Sequence, residues 1–191
     1  MVEPGSRVLD IGCACGDLLY LLNKKKNVQG QGIEINHKNV EICLKNGLSV
    51  IEGDVNNEIT NFPVHAFDYV ILSQTLQTVQ NPKWVLEQMI RIGKRGIVSF
   101  PNFGHWKCRS QIIFYGQMPI TKNLEFSWFN TPNIHLCTIN DFYNLAKILG
   151  IKIEKKFGIT SKGEKKPIRG LISNLLFNLT SENAVFLFNK N

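Results

Sequence analysis

The chain of 191 residues lacks long hydrophobic runs. Its longest charge-free apolar-leaning stretch, residues 69–82, is interrupted by glutamines and an asparagine. A membrane-spanning helix needs about 18–20 apolar residues, so no span is expected. The opening MVEPGSRVLD has no basic segment ahead of an apolar run, so no secretory signal is expected and the cytoplasm is the expected compartment. No Cys-x-x-Cys occurs among the five cysteines, and an odd number cannot all pair. That excludes a disulfide scaffold and argues against a zinc site, leaving reduced, mostly buried thiols.

Acidic residues are scarce at one end. Residues 1–146 carry 13 basic and 12 acidic side chains, a net of +1, whereas residues 147–191 carry 9 and 3, a net of +6. The basic tract is Lys147, Lys152, Lys155, Lys156, Lys162, Lys165, Lys166 and Arg169. Such a tract suits an anionic partner or a solvated surface. No RNA-binding motif accompanies it, so nucleic acid is not the expected partner. With 43% hydrophobic and 19% charged residues, the chain has the composition of a globular protein able to bury its own core.

Strand-like and helix-like segments alternate from the start. RVLDI (7–11), residues 28–35, LSVIE (48–52), FDYVILS (67–73), GIVSF (96–100), residues 151–157 and AVFLF (184–188) read as strands. Helices are expected over 18–22, over 37–46 behind an Asn36 cap, and after the Asn81-Pro82 pair. A further helix follows Thr138-x-x-Asp141, which has the form of a capping box, and a last one is expected over 171–179. The stretch 101–132 breaks this rhythm with seven aromatic residues among Gly and Pro, and reads as a loop-rich aromatic insertion at about 102–130 of a single domain. The alternation implies an α/β fold with a doubly wound, mostly parallel sheet. Ligands of such sheets bind beyond the carboxyl ends of the strands.

The first strand exits into Asp10-Ile11-Gly12-Cys13-Ala14-Cys15-Gly16-Asp17. A phosphate-binding Gly-x-x-x-x-Gly-Lys-Ser/Thr string is absent, and Asp17 would repel a pyrophosphate at the helix start. The spacing is that of Asp-x-Gly-x-Gly-x-Gly with its middle glycine changed to alanine. It resembles motif I of the class I S-adenosylmethionine (SAM)-dependent methyltransferases. SAM has no phosphate and carries two cationic groups, so a carboxylate at the strand end is an asset. On this resemblance Asp10 orients the methionine ammonium, directly or through water, and Gly12 and Gly16 let the backbone approach the ligand. Glu34, followed by Ile35, ends the second strand and would take the ribose hydroxyls. Asp54 and Val55, after the third strand, would take the adenine. Ser73, at the end of the fourth strand, would close the pocket. The resemblance also implies the Rossmann-like sheet of that class, with an antiparallel C-terminal strand.

Longer strings narrow the family. PGSRVLDIGC (4–13), GLSVIEGDVN (47–56), VILSQTLQ (70–77), IVSFPNFGHW (97–106), MPITKNL (118–124) and TPNIHLCT (131–138) resemble the signatures of the MetW family of methionine biosynthesis. The first loop departs from the family's usual Gly-Cys-Gly-Asp-Gly, reading Gly-Cys-Ala-Cys-Gly here. The resemblance implies a SAM-binding protein acting with homoserine O-acyltransferase. The alternative is a methyltransferase with a small-molecule methyl acceptor. For that chemistry the candidate bases are His105 and His135, with Gln74, Gln77, Asn102 and Asn133 as polar companions. The competing reading is that both histidines hydrogen-bond backbone within a loop-rich cap.

Overall fold

The computed structural model describes residues 1–160, 165–167 and 171–190. One eight-stranded sheet runs through them, in the order β3-β2-β1-β4-β5-β8-β6-β7. The strands are β1 (Arg7–Ile11), β2 (Gln29–Glu34), β3 (Ser49–Glu52), β4 (Phe67–Ser73), β5 (Gly93–Pro101), β6 (Ile151–Ile159), β7 (Lys165–Pro167) and β8 (Asn183–Lys190). The helices are α1 (Asp17–Lys26), α2 (His37–Lys45), α3 (Val55–Glu58), α4 (Pro82–Ile92), α5 (Trp106–Tyr115), α6 (Ile139–Ile148) and α7 (Leu171–Thr180). The first five strands in the sheet order pair in parallel, and β8 runs antiparallel to both β5 and β6. This is the doubly wound sheet with an antiparallel C-terminal strand that the sequence led us to expect.

The strands are apolar on both faces because both are covered. Along β4, Tyr69 and Ile71 join one cluster while Val70 and Leu72 join the other. The first cluster takes Leu19 of α1 and Cys43 of α2. The second takes Leu86 and Met89 of α4 and Phe142 of α6. Phe142 stacks on Phe186 of β8 at a centroid distance of 4.6 Å. Local signals set the boundaries. Asn36 caps α2 by accepting from the Lys38 and Asn39 amides, Asn81 caps α4 by accepting from the Trp84 amide, and Thr138 and Asp141 form the reciprocal box on α6. No helix among the described residues is long and apolar enough to cross a membrane.

Besides the short helix α3, two elements depart from the sequence reading. Ten residues of the aromatic insertion are the helix α5, capped by His105, whose ring nitrogen accepts from the Lys107 amide at 3.3 Å. The strand β7 adds an outer edge within the basic tract, pairing with the end of β6. Lys162 and Arg169 of that tract lie outside the described residues. Asn102 fixes the root of the insertion. Its side-chain amide donates to the Asn178 and Ser181 carbonyls at 2.7 and 2.9 Å, and its oxygen accepts from the Gly104 and Ile139 amides.

From β1 the chain winds outward through β2 and β3, then returns to place β4 and β5 on the other side of β1. Strand order therefore reverses between β1 and β4. The loops at their carboxyl ends diverge there and open a crevice.

Candidate functional site

The crevice is a cleft of about 380 Å³, within the roughly 300–1,000 Å³ typical of small-molecule sites. Gly12, Glu34, Ile35, Asp54 and Val55 line it, five of the eight residues expected from the sequence. Two buried carboxylates, one on its wall and one behind it, are set at the ends of β1 and β2. Glu34 is buried at the end of β2 and accepts the Ala14 amide on one oxygen and the Asn36 amide on the other, both at 2.8 Å. It thereby ties the first loop to the start of α2. Each carboxylate oxygen has a second lone pair, so these bonds leave Glu34 able to accept more.

Asp10 is 2% exposed, and its Oδ1 is buried without a hydrogen-bond partner. Burial, and then the neighbouring Glu34 charge, push its carboxyl up to about 7. A buried carboxylate beside a second one, with an unused oxygen, is an arrangement short of a positive charge. Asp10 is not itself on the described lining of the cleft; it lies within β1, two residues before Gly12 on the wall.

The glycines act through packing. Gly12 has φ +70°, and a Cβ there would meet the Thr75 side chain at 2.9 Å. Gly16 has φ +80°, and a Cβ there would collide with Leu48 and Cys43. Gly16 is absent from the cleft lining, and it lets α1 start close against Cys43 of α2 and Leu48 just before β3. The Cys43 thiol also donates to the Ala14 carbonyl at 3.2 Å, bracing the same loop from α2. Burial raises the Cys13 and Cys43 thiols above the usual range, which suits inert packing groups.

Ser73 lies elsewhere. Its Oγ is 3.2 Å from Ser99 Oγ, and it lines a second cavity instead of the cleft. Alternation along β4 carries residue 73 to the face opposite its neighbour Leu72. The following turn delivers Thr75, Thr78, Val79 and Gln80 to the cleft in its place. The sequence reading did not assign these four to the site. The polar run QTLQTVQ (74–80) directly after the most apolar strand was the available signal.

Opposite Glu34, Asp54 caps α3. Its Oδ1 accepts from the Asn56 backbone at 2.9 Å and from the Asn56 side-chain amide at 2.7 Å, and Asn56 lines the cleft. Ile35 is 70% exposed, an apolar side chain held open to the cleft. Ile134 completes the wall from far along the chain. The amides of Ile134 and His135 both donate to the Gln77 carbonyl, at 2.8 and 3.0 Å, and the His135 ring nitrogen lies 3.2 Å from the Gln80 carbonyl. Neither His105 nor His135 is on the described lining. His105 is buried at the start of α5, where desolvation lowers its pKa and favours the neutral ring.

Solved structures share this architecture. A SAM-dependent methyltransferase from Thermotoga maritima, described as a possible histamine N-methyltransferase, superposes with a TM-score of 0.67 at 18% identity. That match covers 100% of this chain and 84% of that one. An S-adenosylmethionine-dependent methyltransferase from Mesorhizobium loti gives 0.69 at 14% identity, over 100% and 94%. At these identities the likeness establishes the class I methyltransferase fold. A curated relative, the bifunctional methionine biosynthesis protein MetXA/MetW of Rhodopirellula baltica, is 34% identical over 165 residues, 82% of this chain and 26% of that protein. The chain thus spans about a quarter of that relative's length. The family model described as methionine biosynthesis protein MetW matches residues 1–188. The chain belongs to the MetW family.

Proposed function

We propose that this protein binds SAM in the cleft and acts in methionine biosynthesis, in the cytoplasm, beside homoserine O-acyltransferase, whose activity it adjusts. The observation that carries the SAM reading is the buried Asp10–Glu34 pair, with an unpartnered Asp10 oxygen, at the point where strand order reverses. A cationic ligand supplies the charge this pair lacks, and the methionine end of SAM is cationic. Asp10, which is off the lining, would orient the ammonium end through water, Glu34 would hold the ribose hydroxyls, and Asp54 the adenine amino group, with Ile35 and Val55 against the ring. When bound, SAM supplies an electrophilic methyl group.

The residues around the cleft do more to hold than to react. Its ionisable lining groups among the described residues are Glu34 and Asp54, both already engaged by amide donors. A proton-abstracting group for an acceptor is not supplied by either histidine in the positions they occupy. The fold is compatible with binding as well as with transfer, because function resides in the site. The acyltransferase partnership draws support from the relative whose name joins MetXA and MetW in one polypeptide.

SAM can alter the partner's activity only by binding the docked and free forms with different affinity. A coupling of about 1–3 kcal/mol corresponds to roughly 5- to 150-fold modulation. The test measures homoserine acyltransferase rate with the two proteins mixed, across a SAM titration, alongside calorimetry of SAM with this protein alone. We expect saturable SAM binding, a higher acyltransferase rate on mixing, and dependence of that increase on SAM. A rate indifferent to this protein would defeat the partnership. An increase that ignores SAM would defeat the regulatory role alone. Methyl transfer to homoserine or its acyl esters at a useful rate would favour the catalytic alternative.

A further inference from the structure

Helix α5 ends in an apolar knob. Its last four residues are Ile112, Ile113, Phe114 and Tyr115; the first is 42% exposed and the other three more than 70%. Successive helical residues are set about 100° apart, so four exposed in a row leave no side of the last turn packed against the body. Gly116 then stops the helix in the left-handed conformation, at φ +62°, its amide donating to the Ile112 carbonyl. The chain turns back through the exposed Met118. We propose that this knob, residues 112–118, docks into a concave apolar pocket with an acidic rim on homoserine O-acyltransferase. The inference rests on the partnership proposed above and names the surface that makes it.

The knob stands on a braced frame. At its base the Gln111 side chain grips the returning backbone twice, donating to the Ile120 carbonyl at 3.2 Å and accepting the Ile120 amide at 3.1 Å. Thr121 and Leu124 then exchange backbone hydrogen bonds at 2.9 and 3.0 Å, and the Leu124 side chain is buried. Glu182, just before β8, ties both limbs to the body: one oxygen takes the Lys107 ammonium at 3.1 Å and the other the Asn123 side-chain amide at 3.2 Å. These bonds hold the apolar tip outward instead of letting it fold back and bury itself. A surface ordered before contact loses less entropy on association.

Shape and charge choose the occupant. A membrane surface takes a helix lying flat, apolar on one side and polar on the other. The last turn of α5 is apolar all round, which suits a partner that encloses it, with aromatic anchors filling pockets. Charge argues against a second copy. Arg109 and Lys122 flank the knob in the chain, both are exposed, and neither forms an ion pair among the described residues. Residues 106–130 hold one acid, Glu125, and the whole chain carries +7. A two-fold pair of copies presents the same patch to itself and so sets these cations against their own images. A pocket rimmed by carboxylates neutralises them.

The test titrates the full chain into purified homoserine acyltransferase at a fixed SAM concentration and reads the affinity by analytical ultracentrifugation. Phe114→Asp should weaken binding at least tenfold, and Ile113→Asp serves if that variant fails to fold. Ile148→Asp, at an equally exposed apolar position on α6, should leave affinity within about twofold. Arg109→Glu with Lys122→Glu should weaken binding at least fivefold and flatten its dependence on salt. SAM affinity of each variant alone should match the parent's, which separates a lost surface from a damaged cleft. A parent that does not bind the acyltransferase defeats the partnership and this surface with it. Equal binding by the parent and a folded Phe114→Asp variant overturns the surface and leaves the partnership standing. A parent dimer that Phe114→Asp dissociates, or capture by phosphatidylglycerol vesicles that Phe114→Asp abolishes, would also overturn the proposal, by assigning the knob to a second copy or to a membrane.

Discussion

The cleft and the aromatic insertion invert the ordinary distribution of side chains in opposite senses. At the cleft two acids are buried, one with an unused oxygen. In the insertion large apolar groups are exposed: Phe114, Tyr115, Trp128 and Phe129 are each more than 70% accessible. A stability-driven design would exchange them, placing aromatics inside and carboxylates in water. Both regions therefore carry a cost that the folded chain alone does not recover, and each is expected to recover it from something bound. The cleft requires positive charge and hydrogen-bond donors. The insertion, rich in Phe and Trp, has the chemistry of a protein interface core. Ile134, a few residues past the insertion, lines the cleft and is itself 60% exposed.

Substitutions can break this contrast from either side. The largest effect is expected from Glu34→Ala. It removes the acceptor of two amides and, on the proposed function, a charged contact to SAM, and hydrogen bonds to a charged group are worth about 1.5–3 kcal/mol. Calorimetry should show SAM affinity lowered roughly 10- to 150-fold, with a cooperative melting transition retained.

Asp10→Asn should act on binding and stability with opposite signs. The Asp10 carboxyl is raised to about 7 in the fold, against about 3.9 in an unfolded chain. Between those values the folded state holds the proton more tightly. Stability is thus fully present below about pH 4 and is lost as pH rises through about 7. Asparagine removes that loss, so the variant without ligand should melt higher than the parent at pH 8 and gain less on acidification. SAM binding should weaken about tenfold at pH 8. The parent's rise in SAM affinity from pH 6 to pH 8, driven by ionisation of Asp10, should flatten in the variant.

The smallest effect on the cleft is expected from Trp128→Ser with Phe129→Ser. SAM affinity should stay within about twofold and stability within roughly 0.5 kcal/mol, since exposed side chains contribute little to the folded state. The increase in acyltransferase rate should fall by more than fivefold if these aromatics anchor the partner. Losing SAM affinity instead would place them in the cleft's support.

Much of this architecture is legible in the sequence because its signals are local. The bounds of β1 and β4 follow from apolar runs, and the caps at Asn36, Asn81 and Thr138 mark helix starts without tertiary information. The acids at successive strand ends are legible for the same reason, since parallel strands deliver their carboxyl ends to one edge. What escaped depends on contacts distant in sequence. Helix α5 is largely exposed beyond Cys108, so it offers no apolar period to read. The need for Gly16 comes from Cys43 and Leu48. Ser73 lines the second cavity because a strand's end says which edge a residue reaches, whereas the pleat decides which face. Ile134 reaches the cleft only because its amide finds Gln77, 57 residues earlier.

The position of β8 bears on how the chain is made. Residues 183–188 pair with 96–101, and β6 joins the rest of the sheet only through β8. After Pro101 leaves the ribosome, 183 − 101 = 82 more residues must follow before its partner emerges, which takes roughly 4–16 s at about 5–20 residues per second. During that interval the edge of β5, with its apolar run GIVSF, has no final neighbour. A strand made 82 residues after its partner is thus the one that joins β5 to β6. A nascent chain stalled before β8 would display an unpaired strand edge beside an exposed aromatic insertion, a combination suited to capture by a chaperone or by another unfinished copy.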